Sequence, residues 1–304
     1  MQCACHVWRH GADDDAGGHN RAEHVVRPPV IDTPALPEAG LIDTADGPTF
    51  VRTLGSGPPV FVIHGGPGWD HSYLVDGLAF LAERRTLVFY DQPGCGGTPA
   101  PRSLTAAGTF RHFRSLASRV AGGRRAGVLA HSWGALVFVA ALCEREAGGE
   151  RLPDFTEGAL INPAPLTVPD IAAARRHLMK RVPLARLLRL YAMFLFNLDA
   201  ERIMAELKPY YSDGRFENRD LETPICIDTY KRLLGGLKSL ALPELPPELA
   251  RMSLLVGSFD YAGTRFVGEL AARVARVIAI EGGGHFPFHE APEAFRIAVE
   301  KVFR

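Results

Sequence analysis

The chain has 304 residues, and its 34 lysine and arginine residues balance 34 aspartate and glutamate residues. This zero net charge argues against a nucleic-acid-binding protein, which would carry a basic excess, and against an acidic solvating tail. Hydrophobic residues make up 47% of the chain and charged residues 22%, which is typical of a globular protein with one large domain or two small ones.

The cysteines and the apolar runs indicate the cellular compartment of the protein. The five cysteines are odd in number and scattered, which favours a reducing compartment over a disulfide framework. The most apolar stretch, 187–196, is interrupted by Arg189 and is too short to span a bilayer. The first ten residues lack the apolar core of a secretory signal. We therefore expect a cytoplasmic protein with no membrane and no nucleic-acid partner, and its oligomeric state stays open.

Residues 1–38 are polar and then proline-rich, without the periodicity of a helix or a strand. We expect them to form a disordered N-terminal extension. Cys3, Cys5, His6 and His10 cluster at its start and suggest a metal site. Their spacing matches no common zinc pattern and no second pair of ligands follows, so we predict no metal.

Short apolar runs follow from about residue 41 and alternate with helix-forming stretches such as 133–146. Continuous apolar runs separated by helices are typical of a parallel sheet that helices cover on both faces. The predicted strands are 49–54, 60–64, 86–90, 127–131, 159–162, 253–257 and 277–280.

The alternation of predicted strands and helices stops between residues 163 and 249. This stretch is helical in character, and Pro183 is its one helix breaker. A helical insertion between parallel strands is placed over their carboxyl ends, where ligands bind. We therefore predict a catalytic domain of 39–162 and 250–304, with 163–249 as a helical cap. The apolar run 187–196 is expected in the cap core, and some of its side chains are candidates for lining an apolar substrate pocket.

The segment AHSWG, residues 130–134, lies where a predicted strand ends and a helix begins. A serine at such a sharp turn holds its hydroxyl outside the sheet, and small flanking residues let the two elements approach closely. The usual pattern has glycine where this chain has Ala130, a mild change because the constraint there is steric. The sequence therefore predicts Ser132 as a nucleophile.

A glycine-rich segment, HGGPG at 64–68, directly follows another predicted strand. Glycines leave the backbone N–H groups free to point at a developing oxyanion, although the segment by itself is also compatible with a simple tight turn. The second donor would be the backbone N–H of Trp133, at the positive end of the helix that follows Ser132.

A general base and an orienting acid are expected after the last two strands, because the chain order in this architecture is Ser, Asp, His. His285 follows three glycines after the last predicted strand, and a loop there can bring it to the serine. His289 is a competitor, but it lies near the start of the last helix. Asp260 follows the strand at 253–257. Asp91 is the alternative acid, and because it precedes the serine we interpret it as a loop residue.

Five motifs in this order resemble the proline iminopeptidase family: HGGPG, DQPGCGGT, HSWG, GSFD and GGGHFPFHEAPEAF. The resemblance runs from about residue 41 to the C-terminus, and the cap matches only in position. It implies the α/β-hydrolase fold, with a mostly parallel central sheet, helices on both faces and a helical cap insertion. It also implies a serine hydrolase with Ser132, Asp260 and His285 as the triad and Gly66 and Trp133 as oxyanion-hole donors. The sequence indicates no metal and no organic cofactor.

The substrate class stays open at this point between small molecules and short peptides. Family members that remove an N-terminal residue hold its free amine with cap carboxylates, commonly near a Trp-Glu pair. This cap contains no tryptophan, and Glu206, Glu217 and Glu222 are its candidate carboxylates. Release of an N-terminal residue is the first hypothesis, and hydrolysis of an ester, thioester or lactone with an apolar acyl group is the second. A non-catalytic ligand receptor is the third. Ser132 argues against an epoxide hydrolase or a haloalkane dehalogenase, which use an aspartate nucleophile.

Overall fold

The structure, a computed structural model, describes residues 36–144, 151–195, 200–218, 221–237, 242 and 244–304. Thr33–Arg304 form one compact unit. The expected N-terminal extension, apart from its last three residues, lies outside the described residues, and so do the cysteines and histidines at its start. What the sequence indicates for that segment stays a prediction.

The seven apolar runs and one further strand, Ala39–Thr44, form one eight-stranded sheet. The strands are β1 (Ala39–Thr44), β2 (Gly47–Leu54), β3 (Pro59–Ile63), β4 (Thr86–Tyr90), β5 (Arg125–His131), β6 (Asp154–Ile161), β7 (Met252–Gly257) and β8 (Arg276–Ile280). Their order is β1-β2-β4-β3-β5-β6-β7-β8. β2 runs antiparallel to β1 and β4, and the other neighbours are parallel. The mostly parallel sheet predicted from the sequence is thus confirmed.

Helices cover both faces of this sheet, which is why β3, β4, β5 and β7 are buried along nearly their whole length. The helices are α1 (Ser72–Leu78), α2 (Ala106–Ala121), α3 (Trp133–Cys143), α4 (Val168–Arg181), α5 (Leu184–Leu195), α6 (Ala200–Tyr211), α7 (Ile227–Gly236), α8 (Gly268–Ala271), α9 (Pro287–Glu290) and α10 (Pro292–Glu300). Phe61 of β3 packs with α2 and α3, whereas Val60 and Val62 pack with α1 and α10. This alternation follows from the two-residue period of a strand.

Strand β1 is the element that the sequence analysis missed. It forms an antiparallel hairpin with β2, and Thr44 pairs with Gly47 across the turn. Its residues alternate between exposed and half-buried, and Leu41 is 57% exposed. An edge strand without a buried face lacks the apolar run that identified the other strands.

The order of the strands places the site. β3 lies between β4 and β5 although it precedes both in the chain, so the direction of winding reverses there. A crevice opens at such a reversal, beyond the carboxyl ends of the strands. The loops that follow β3, β5, β7 and β8 carry the four predicted site segments, and all of them emerge at this edge.

Helices α4 to α7 occupy the stretch between β6 and β7 where the sequence predicts a cap, and Pro183 separates α4 from α5. These helices have a small apolar cluster of their own, which includes Leu190 and Met193 from the run at 187–196. Leu188 and Tyr191 of the same run are exposed. None of the helices in the described ranges combines the length and apolar character needed to cross a bilayer.

Candidate active site

A sharp turn between β5 and α3 carries Ser132. Its φ of 52° and ψ of −119° lie in a region that costs a residue with a side chain about 1–3 kcal/mol. The Ser132 N–H donates to the Ile161 carbonyl at 2.9 Å. A Cβ at Gly134 would lie 2.6 Å from the carbonyl oxygen of His64, so only glycine lets α3 pack this close to β3. Packing of the flanking elements therefore holds the strained turn and the serine hydroxyl that it presents.

Ser132, His285 and Asp260 meet in one chain of hydrogen bonds. His285 Nε2 lies 3.1 Å from Ser132 Oγ, and His285 Nδ1 lies 2.6 Å from Asp260 Oδ1. The other Asp260 oxygen accepts the N–H of Gly263 at 2.7 Å. Each of the three residues is at most 9% exposed. Since Nδ1–H donates to the carboxylate, Nε2 is free to accept the serine proton, as a general base must.

Aromatic rings enclose the His285 imidazole. Tyr211, the last residue of α6, stacks on it with ring centroids 5.2 Å apart and planes at 27°. Tyr261 and Phe286 meet it edge-on at 5.3 and 5.2 Å. Burial raises the pKa of both tyrosines, so they are neutral phenols at neutral pH. By excluding water, these rings strengthen the His285–Asp260 hydrogen bond, because charges interact more strongly at low dielectric.

Two backbone N–H groups beside the serine, those of Gly66 and Trp133, have no acceptor within the described part of the chain. The neighbouring N–H of Gly65 is already donated to Tyr73 Oη at 2.6 Å. A Cβ at Gly65 would lie 3.2 Å from Ser132 Cβ, so this loop passes directly by the serine. Trp133 begins α3, where the first N–H groups lack helical partners and carry partial positive charge. These two groups are available to an oxyanion.

Tyr73 and His131 form a buried hydrogen-bonded chain next to Ser132, and the sequence analysis assigned neither of them a role. Tyr73 Oη donates to His131 Nδ1 at 2.8 Å, so the proton of His131 is on Nε2, which donates to the His285 carbonyl at 2.9 Å. Burial lowers the pKa of His131 well below its ordinary value, which keeps the ring neutral. This chain joins the loop of Gly65 to the backbone of His285.

Gln92 connects the same glycine loop to the serine turn. Its Nε2–H donates to the His64 carbonyl at 2.7 Å, and its Oε1 accepts the indole N–H of Trp133 at 2.8 Å. Its backbone N–H donates to His64 Nε2 at 3.0 Å. Gln92 lies in the DQPGCGGT motif, but no role was predicted for it, and an amide has no acid–base chemistry that would single it out.

The two alternative site residues, Asp91 and His289, lie outside the hydrogen-bonded chain of Ser132, His285 and Asp260. Asp91 accepts the Nδ1–H of His71 at 2.7 Å and the N–H of Gly97 at 2.8 Å. Burial alone would raise the pKa of Asp91, but these hydrogen bonds lower it, so it is a paired loop carboxylate. His289 lies in α9, and the imidazole within hydrogen-bond distance of the serine is that of His285.

The candidate cap carboxylates do not converge on the serine. Glu206 forms an ion pair with Arg189 at 3.0 Å, and Glu217 and Glu222 are exposed. The contacts of Ser132 in the described ranges include none of the three. The described residues also contain no group of three or more His, Cys, Asp or Glu side chains placed to hold a metal ion.

The lowered pKa values of three buried histidines lead us to expect that the free energy of unfolding decreases in mild acid. Burial lowers the pKa of His64 and His131, and that of His112 to about 4. Below pH 6.5 the unfolded chain then binds more protons than the folded one. The contribution of these histidines to the free energy of unfolding is therefore fully present above about pH 6.5. It decreases as the pH falls, by up to about 1.4 kcal/mol per pH unit for each histidine.

Urea unfolding between pH 7.5 and 5.5 measures this slope. We expect His112→Gln to reduce this slope, since it removes one of the three histidines, a buried residue of α2 whose Nε2 lies 2.9 Å from the hydroxyl of Thr49. A free energy of unfolding that stays constant over this range would contradict the prediction.

Comparison with known proteins agrees with this geometry. Residues 60–298 match the model of a family described as the alpha/beta hydrolase family. The chain belongs to that family. This alpha/beta hydrolase is also 27% identical over 286 residues to a proline iminopeptidase of Heyndrickxia coagulans, covering 84% of this chain and 95% of that protein. The resemblance to the proline iminopeptidase family is thus confirmed.

Solved structures of different activities share the fold. A proline iminopeptidase-related protein from Thermus thermophilus matches with a TM-score of 0.62 and 22% identity, over 87% of this chain and 96% of that one. An esterase from Exiguobacterium antarcticum matches with a TM-score of 0.59 and 17% identity, over 87% and 99% of the two chains. At these identities the likeness shows the alpha/beta hydrolase fold alone, and a fold shared by both does not determine the substrate.

Proposed function

We propose that this alpha/beta hydrolase is a serine hydrolase that works through an acyl-enzyme, with Ser132 as nucleophile, His285 as general base and Asp260 as orienting acid. The observation that carries the proposal is the hydrogen-bonded chain of 3.1 and 2.6 Å through the two imidazole nitrogens. A serine hydroxyl is a weak nucleophile, and a buried imidazole oriented by a carboxylate is what activates it.

The proposed reaction has two halves. His285 Nε2 takes the hydroxyl proton as Ser132 Oγ bonds to the substrate carbonyl carbon, and the N–H groups of Gly66 and Trp133 stabilise the resulting oxyanion. The imidazolium, stabilised by Asp260, then gives its proton to the leaving group as that bond breaks. In the second half His285 deprotonates a water molecule, which attacks the acyl carbon, and Ser132 leaves with the proton.

As substrate we propose a peptide or aminoacyl amide from which the N-terminal residue is released. The support is the similarity to the proline iminopeptidase of Heyndrickxia coagulans, which extends over 95% of that protein. Residues 163–249 are the proposed cap, and Tyr211 brings the end of α6 onto the His285 ring.

Hydrolysis of an ester, thioester or lactone with an apolar acyl group is the second candidate. The observation that favours it is the ion pair between Glu206 and Arg189, since the positive charge of Arg189 offsets the negative charge that would attract a substrate ammonium. The side chain that α6 presents to His285, Tyr211, is a neutral phenol. A non-catalytic receptor is the third candidate, and labelling of Ser132 by a fluorophosphonate would exclude it.

A rate panel on the purified protein decides between the first two. It compares aminoacyl amides with a free amine, the same amides acetylated at the amine, and simple acyl esters, with Ser132→Ala as the background control. We expect fast cleavage only where the amine is free. Ester cleavage that is indifferent to the amine would instead support the second candidate, and no turnover above the Ser132→Ala background would overturn the proposed activity.

A further inference from the structure

The end of α6 contacts the loop that carries His285 through a buried serine. Ser212 Oγ accepts the backbone N–H of His285 at 2.9 Å and donates its proton to the carboxylate of Glu290. Ser212 is fully buried. A Cβ at Gly284 would lie 2.5 Å from Ser212 Oγ, so the glycine before the histidine is what permits this close approach. The cap segment thus touches the base loop directly.

Glu290 completes this contact from the other side. Its Oε2 accepts the backbone N–H groups of Gly284 at 2.6 Å and of Phe286 at 3.1 Å, the residues on either side of His285. Three successive N–H groups, those of 284 to 286, are therefore held by Glu290 and Ser212 together. Hydrogen bonds to an ionised carboxylate are roughly twice as strong as neutral ones, so this loop is held firmly.

The other oxygen of the same carboxylate faces the cap segment. Glu290 Oε1 accepts the side-chain amide N–H of Asn218 at 2.8 Å, in addition to the hydroxyl of Ser212. Asn218 is 5% exposed, so water does not compete for this bond. The N–H of Tyr261, the residue after Asp260, donates to the carbonyl of Tyr211 at 2.8 Å, which ties the acid loop to the same helix end.

We propose that Glu290 is a positioning residue that couples the cap segment to the general base. One oxygen orients the His285 loop and the other binds Ser212 and Asn218, so the imidazole is aligned with Ser132 only when the end of α6 is docked. The inference rests on the proposed function, in which His285 is the base. It predicts that a change at Asn218, which does not touch the triad, alters the chemical step through Glu290.

Exchanging hydrogen-bond donors and acceptors tests this coupling. In Glu290→Gln the amide can accept from the loop N–H groups only by turning its NH2 group towards the donor of Asn218, so one side is always mismatched. In Asn218→Asp two carboxylates face each other. A misplacement of about 1 Å costs about 100-fold in rate, so we expect each single variant to lower kcat by about 10- to 100-fold with a smaller change in KM.

The double variant Glu290→Gln, Asn218→Asp restores a donor opposite an acceptor at position 218, while the hydroxyl of Ser212, which donates to the same oxygen in the wild type, loses its acceptor. We therefore expect the double variant to recover kcat above that of either single variant without reaching the wild-type value. Active-site titration with a fluorophosphonate gives the number of intact sites, and kcat is calculated per site. A variant that folds less efficiently therefore does not show a lower kcat for that reason. Glu293→Gln, an exposed carboxylate on α10, is the matched control and is expected to leave kcat unchanged.

Two results would overturn the coupling: a wild-type kcat per site in Glu290→Gln, or losses in the double variant that equal the product of the two single losses. Failure of the proposed function has a different signature, because the wild type itself would then lack labelling at Ser132, or Ser132→Ala would retain turnover.

Discussion

Ser132→Ala is expected to reduce kcat by about 10⁶-fold, the loss that follows removal of a triad serine. The variant lacks the oxygen that forms the acyl-enzyme, while the N–H groups of Gly66 and Trp133 remain to bind substrate. Steady-state rates on the best substrate of the panel, at high enzyme concentration, measure the loss. Residual activity near that of the wild type would remove Ser132 as the nucleophile.

The same substitution is expected to leave the fold intact. Within the residues that the structure describes, Ser132 Oγ makes one side-chain hydrogen bond, to His285, and alanine keeps the Cβ that the strained backbone already accommodates. We expect the free energy of unfolding to change by no more than about 1 kcal/mol. Urea unfolding of both proteins provides the control, and loss of fluorophosphonate labelling in the folded variant connects the lost rate to the missing hydroxyl.

His285→Ala is expected to lower kcat by about 10⁴-fold or more, and His289→Ala by less than about 10-fold. His285 supplies the nitrogen 3.1 Å from the serine hydroxyl, whereas His289 lies one turn further on, in α9. Without His285 the serine stays protonated and is a poor nucleophile. Rates for both variants on one substrate, normalised to folded protein, give the comparison.

The two histidines lie four residues apart and form a matched pair for this test. Equal thermal stability of the two variants would show that the rate difference is chemical. The reverse ranking, with His289→Ala the more damaging, would contradict the assignment of His285 as the base. The rate of labelling by a fluorophosphonate is an independent measure, since it depends on the same activation of Ser132.

The proposed site was predictable from the sequence where its residues are defined by local pattern. Apolar runs identified the strands, and a motif after each of four strands identified Ser132, Asp260, His285 and the glycine loop. Such patterns are readable because strand, turn and helix each impose a short-range spacing on the chain. Ala130, a departure from the usual pattern, is fully buried in β5, where its small side chain is accommodated.

The tertiary structure decided what joins those segments. Gln92 touches Trp133 and Glu290 touches Ser212 across 41 and 78 residues of chain, and no local spacing announces such contacts. A glutamate near the start of a helix can be exposed to solvent or can belong to a buried hydrogen-bond network. Only the packing of the folded chain distinguishes these two environments. The sequence by itself thus determined seven of the eight strands, the sharp serine turn and the candidate acid and base. The partners that orient them, and the ion pair that occupies Glu206, depend on which distant surfaces folding brings together.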